Sequence, residues 1–123
     1  MDAGIERARE ELAAAALLSA NGFAAQAVSR ACYAAFYATE AALASLGETR
    51  AKHSGVVAAF ALLLVRERGV NEQAGRLLRS LFDRRSRADY ELTAVPPHEA
   101  RQAVDDAAFV VDTVERWLPA GRP

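Results

Sequence analysis

The stretch from Arg84 to Tyr90, Arg-Arg-Ser-Arg-Ala-Asp-Tyr, gathers groups that can grip a phosphate and move a proton beside it. A guanidinium offers paired N–H donors to two phosphate oxygens and can stabilise a developing phosphorane. Ser86 and Tyr90 add hydroxyls and Asp89 adds a carboxylate. On a helical wheel Arg85 falls about 20° from Leu78, inside the apolar arc of Ala74, Leu78, Leu81 and Phe82. A cation where a leucine is expected must be paired, or must line a cavity or an interface. Two arrangements meet that demand. Arg85 can pair with Asp89 one turn on, with Tyr90 packed as a cap. Alternatively Arg85 and Tyr90 share a phosphate site, provided that the helix ends or bends near Tyr90. Spacing alone favours neither.

Other candidate groups are weaker. Lys52, the only lysine, and His53 precede a third helix whose free N–H groups favour anions, with Ser54 as its expected N-cap. A solvated loop explains them equally well. Five arginines between Arg76 and Arg87, against Asp83, give a local charge of +4 on a chain of net charge −1. Arg76, Asp83 and Arg87 project outward and read as a solvated face, whereas Arg84 could draw in a nucleic-acid backbone. Two histidines (His53 and His98) and one cysteine, with no HExxH or CxxC spacing, predict no metal site. No glycine-rich phosphate loop is present and no cofactor is expected. Cys32 sits mid-helix among apolar neighbours, as a structural thiol would. The adjacent acids Glu10-Glu11 and Asp105-Asp106 splay apart on a helix and read as solvated.

The elements that must position these groups are helical. Alanine and leucine dominate, and β-branched residues never alternate with polar ones, so strands are not expected. The first helix spans about Asp2 to Ser19, with Ile5, Ala8, Leu12 and Ala15 or Ala16 inward. The second runs from Phe23 to Leu46 and stops at Gly47. Its small residues Ala27, Ala31, Ala34 and Ala38 suit a central helix approached on several sides. One stripe departs from that pattern: Gln26, Arg30, Tyr33, Tyr37 and Glu40. It is either a wet seam at the bundle surface or the wall of a polar groove or subunit interface. The third helix ends at Gly69, the fourth starts after Asn71, and the fifth begins near Pro97. Residues 119–123 read as a frayed tail.

These readings predict an all-α fold, an antiparallel up-and-down bundle of four to five helices forming a single domain over 1–123. With 52% hydrophobic and 25% charged residues, the composition is that of a globular domain. A net charge of −1 supplies no global pull toward nucleic acid or anionic lipid, so any such affinity is local. The longest apolar run, Gly55 to Val65, is too short to span a bilayer. No secretory leader is expected from MDAGIERAREEL, and the lone cysteine fits a cytoplasmic location.

Three segments together resemble the HEPN domains of prokaryotes: Ser29-Arg-Ala-Cys-Tyr-Ala-Ala-Phe-Tyr-Ala38, Lys52-His-Ser-Gly55 and Leu81-Phe-Asp-Arg-Arg-Ser-Arg-Ala-Asp-Tyr90. With the helix count, the resemblance covers nearly the whole chain. It implies a small helical homodimer, found with a minimal nucleotidyltransferase in toxin–antitoxin pairs. It also implies a dimer-interface cleft that binds RNA or a nucleotide. Active members are similar to metal-independent ribonucleases in which a ribose 2′-OH attacks the adjacent phosphate. Their signature is an arginine, a polar residue, and a histidine a few positions on. Arg85 and Ser86 match the first two, but Tyr90 holds the histidine's place, and no histidine lies between Ser86 and Pro97. A tyrosine with an ordinary pKa of about 10 is a poor base at neutral pH. The resemblance therefore assigns catalysis to Arg85 and Tyr90, phosphate binding to Arg84, Ser86, Arg87, Lys52 and His53, and pairing to Asp89. His53, on another helix, is the alternative imidazole. The other class of function is a non-catalytic subunit docked on a nucleotidyltransferase.

Overall fold

The computed structural model describes residues 2–91 and 94–120, with side chains through 118, and these form helices and no strands. The helices are α1 (Ala3–Ala20), α2 (Ala24–Ala44), α3 (His53–Ala59) with a π-helical continuation (Phe60–Arg66), α4 (Glu72–Tyr90) and α5 (Pro97–Ala120). The fold is an all-α helical bundle, as the apolar spacing predicts. The backbone of α5 runs through Pro119 and Ala120, two residues into the expected frayed tail, and 121–123 lie outside the described residues.

α2 is the central element and packs against α1, α4 and α5. Its alanines 27, 31, 34, 35, 38 and 42 are fully buried, so neighbouring backbones can come close. At Gly4 of α1 a Cβ atom would sit 2.8 Å from the Cβ of Ala41, nearer than packed carbons tolerate. The α2 C-terminus turns at Gly47, whose φ of +74° is the left-handed conformation that glycine adopts without strain. Asp2 caps α1 by accepting from the Gly4 and Ile5 amides, and Asn71 caps α4 by accepting from Gln73.

α4 contributes Ala74, Leu78 and Leu81 to the core, and α5 contributes Ala100, Ala103, Ala107, Val110, Val111 and Val114. Fully buried Phe60 is the largest core side chain, and truncating it to alanine would cost about 3 to 5 kcal/mol. α2 and α4 run antiparallel, since Ser29 meets Asp89 while Phe36 meets Phe82. Among the described residues, no helix is long and apolar enough to cross a membrane.

One acid of each adjacent pair departs from the solvated face expected of it. Glu11 is buried, and both of its carboxylate oxygens accept from Arg30 on α2, 3.1 and 3.2 Å away. Asp106 accepts from Arg84 at 2.8 Å with both side chains 14% exposed. In each pair the neighbours, Glu10 and Asp105, do face solvent. Splaying on the helix thus sends one acid outward and the other against an arginine of the next helix. α3 also begins one residue before its expected cap: Lys52 is the N-cap residue, and no side chain caps the helix. His53 is the first helical residue, and its ring lies against aromatic rings of two neighbouring helices.

Candidate functional site

Arg85 lies where α4 crosses α2 and the start of α3, and its side chain is only 21% exposed. Nη1 donates to Asp89 Oδ2 at 3.1 Å and lies 3.5 Å from the Tyr33 hydroxyl. Nη2 lies 3.5 Å from Nδ1 of His53. The guanidinium carbon stands 5.3 Å from the centre of the Tyr33 ring, within reach of the ring's negative face. Nε is buried and meets no hydrogen-bond acceptor among the described residues. A buried donor left unmatched in this way costs stability.

His53 is positioned by packing. Its ring stacks on Phe82 of α4 with centroids 4.9 Å apart and lies 4.5 Å from Phe36 of α2. Burial lowers the imidazole pKa, and the neighbouring Arg85 charge lowers it further. The ring is therefore neutral at pH 7. For Nδ1 to accept from Arg85, its proton must reside on Nε2. The same guanidinium opposes a stronger effect at Cys32, whose thiol burial pushes up to about 12, so this residue is a neutral core group.

A cleft of about 240 Å³ opens beside this pair, lined by His53, Ser54, Arg79, Phe82 and Arg85. Arg85 is thus neither free in water nor sealed against its own aspartate. Asp89 is shared, accepting from Ser29 Oγ at 2.9 Å through its other oxygen. The polar stripe of α2 continues away from the cleft as an arginine–tyrosine ladder. Arg30 covers Tyr33 at 4.7 Å, and Arg7 of α1 covers Tyr37 at 5.0 Å.

The structure thus brings together Arg85, Asp89 and His53, and it adds Tyr33, Ser29 and Phe82. Tyr90 does not join them. Sharing the site required α4 to end or bend before it, yet α4 stays helical through Tyr90, whose side chain is 82% exposed. Five helical residues turn it about 140° from Arg85. Arg84 faces the other way and is held by Asp106. Ser86 and Lys52 are exposed, and Arg87 borders a separate groove with Arg66, Arg76 and Arg79. The Tyr33 contact had a signal in sequence, because Tyr33 and Tyr37 already broke the alanine pattern of α2.

A guanidinium beside a neutral imidazole, with a cleft between helices, can hold an anion and accept a proton from a group next to it. Comparison with known proteins agrees with the architecture. A family model described as HEPN domain matches residues 1–117. A protein of Methanocaldococcus jannaschii named as a candidate toxin is 34% identical over 114 residues, 93% of this chain and 85% of that protein. A UPF0332 protein of Thermotoga maritima is 36% identical over 113 residues, covering 91% and 86% of the two chains. With the bundle, the family model and these relatives in agreement, the chain belongs to the HEPN domain family.

Proposed function

We propose that this protein is a HEPN toxin: a homodimer that holds an RNA phosphate at Arg85 and cleaves the chain with His53 as the base. The observation that carries this reading is the 3.5 Å approach of His53 Nδ1 to Arg85 Nη2 at the wall of an open cleft. The signature histidine is missing from α4, and an imidazole from α3 stands beside the arginine instead. In this chemistry the imidazole gives up its contact with Arg85, Nδ1 takes the proton of a ribose 2′-OH, and the 2′-oxygen bonds to the adjacent phosphorus. The P–O5′ bond breaks, leaving a 2′,3′-cyclic phosphate, and the departing 5′-oxygen takes up a proton. Arg85 stabilises the charge on the non-bridging oxygens. The half-exposed Tyr33–Tyr37 ladder is the face assigned to the second copy, and a small nucleotidyltransferase is the expected partner. The relative named as a candidate toxin supports the toxin assignment.

A second reading, a non-catalytic nucleotide-binding or docking subunit of that nucleotidyltransferase, is favoured by the Arg85–Asp89 pair. An arginine already paired fastens the helix without needing a ligand. Incubating the purified protein with RNA in EDTA separates the two. Cyclic-phosphate ends with wild type, and none with Arg85→Ala or His53→Gln, support the nuclease. Intact RNA in every sample supports the docking subunit.

A further inference from the structure

A second groove, of about 460 Å³, runs between the π-helical segment and α4. Four guanidiniums border it (Arg66, Arg76, Arg79 and Arg87) against two carboxylates, Glu72 and Asp83. The lining therefore carries two positive charges in excess on a chain whose net charge is −1. Arg76 pairs with Glu72, but Arg66, Arg79 and Arg87 have no ion pair among the described residues. Clustered exposed cations with few counter-charges raise the local positive potential and draw anions toward the groove.

Backbone geometry supplies the wall. An α-helix would set Ala61 and Arg66 about 140° apart, whereas the i→i+5 repeat of a π-helix returns residues five apart to one side. The segment Phe60–Arg66 is π-helical, and Ala61, Val65 and Arg66 all face the groove. On α4 the matching row is Arg76, Arg79, Asp83 and Arg87, which spans about 16 Å at 1.5 Å per residue. The floor is apolar and low: Val57, Ala61 and Val65, with Gly75 opposite. Val57, Arg79 and Asp83 also line the cleft beside Arg85 and His53, so the two depressions adjoin across a shared wall.

We propose that this groove is the track along which single-stranded RNA runs to and from the Arg85–His53 site, its phosphates on the arginines and its bases against the aliphatic floor. The proposal rests on the nuclease reading above and extends it from a single phosphate to a length of strand. A guanidinium rim pairs with phosphate oxygens and can lay its planes against bases, while the aliphatic floor gives the bases an apolar surface to lie on. An acidic protein segment would match the rim and leave the floor unused.

The probes are a fluorescent 2′-O-methyl oligouridylate and the dinucleotide UpU with its attacking hydroxyl 2′-O-methylated, so neither can be cleaved. Arg66→Ala/Arg76→Ala should weaken oligouridylate binding about ten-fold and reduce the salt slope by about 0.7 for each phosphate no longer neutralised. UpU binding should be unchanged, as should both affinities in Arg101→Ala, where the exposed arginine lies away from the groove. Arg79→Glu should lower oligouridylate affinity further. A salt slope unchanged in the double variant overturns the track while UpU binding leaves the Arg85 site standing. Displacement of the oligouridylate by poly-glutamate but not by unlabelled RNA reassigns the groove to a protein segment and also overturns it. Failure of the wild type to bind either probe removes the nuclease reading, and the track with it.

Discussion

His53 Nδ1 and Arg85 Nη2 stand 3.5 Å apart although the two residues are 32 positions apart in sequence. The contact exists because α3 starts against the Phe36 and Phe82 rings, which hold the imidazole over the end of the α4 arginine. Removing the cation therefore has separable consequences. Arg85→Ala should abolish RNA cleavage, with a rate reduction of at least about 10²-fold. Without its hydrogen bonds to Asp89 and Tyr33 the fold should be weaker by only about 1 to 2 kcal/mol in denaturant unfolding. Arg85→Lys should recover most of the stability and little of the rate, since an ammonium cannot form the fork. A variant that unfolds outright would return Arg85 to a purely structural role.

The depressed pKa of His53 gives a signed pH dependence. In the unfolded chain the imidazole titrates near its ordinary value of 6.5, and in the fold it titrates lower. As pH falls the unfolded chain takes the proton first. The neutral ring thus contributes stability that is complete above about pH 6.5 and is lost as pH falls through the lowered folded value. Thermal unfolding of wild type and His53→Gln across this window should show the wild type losing stability faster toward acid. Parallel curves would mean that the ring titrates as it does in water.

Arg84 and Asp106 test whether a neighbouring arginine is structural. Both are 14% exposed, and each is the other's counter-charge. Asp106→Ala should destabilise by about 3 kcal/mol, because the guanidinium is left without its partner. Arg84→Met combined with Asp106→Leu should restore most of that stability. RNA affinity should be unchanged in the double variant, measured by anisotropy.

Gly75 sits in the interior of α4, where glycine is costly. A Cβ there would meet Val65 Cγ2 at 3.5 Å and Phe60 Cδ2 at 3.9 Å, ordinary contact distances. Gly75→Ala should raise stability by about 0.5 to 1 kcal/mol, seen as a melting temperature a few degrees higher. A lower value would show that the groove floor tolerates no added methyl.

Local patterns carried the helices and their ends. Apolar spacing located most of the inward positions of α1, α2 and α4, and Asn71, Pro97 and Gly47 marked boundaries through their own backbone chemistry. The misfit at Arg85 was equally visible, since one charged residue on an apolar arc is a property of a single helix. The identity of its partners was not. His53 and Tyr33 reach Arg85 from other helices, and no spacing within α4 encodes that. Glu11 and Asp106 were hidden for the same reason: their burial depends on Arg30 and Arg84 across a helix interface. The π-helical turn at Phe60–Arg66 left no mark in a run that any helix could hold.

Asp89 gives Arg85 a resident anion of its own. Tied to Ser29 at 2.9 Å and to Arg85 at 3.1 Å, its carboxylate occupies one side of the guanidinium before any visitor arrives. Loading the site is then an exchange of one anion for another, and the measured affinity reports the difference between them. Stray anions in solution gain little from such a swap, while a strand held along its length can tip the exchange.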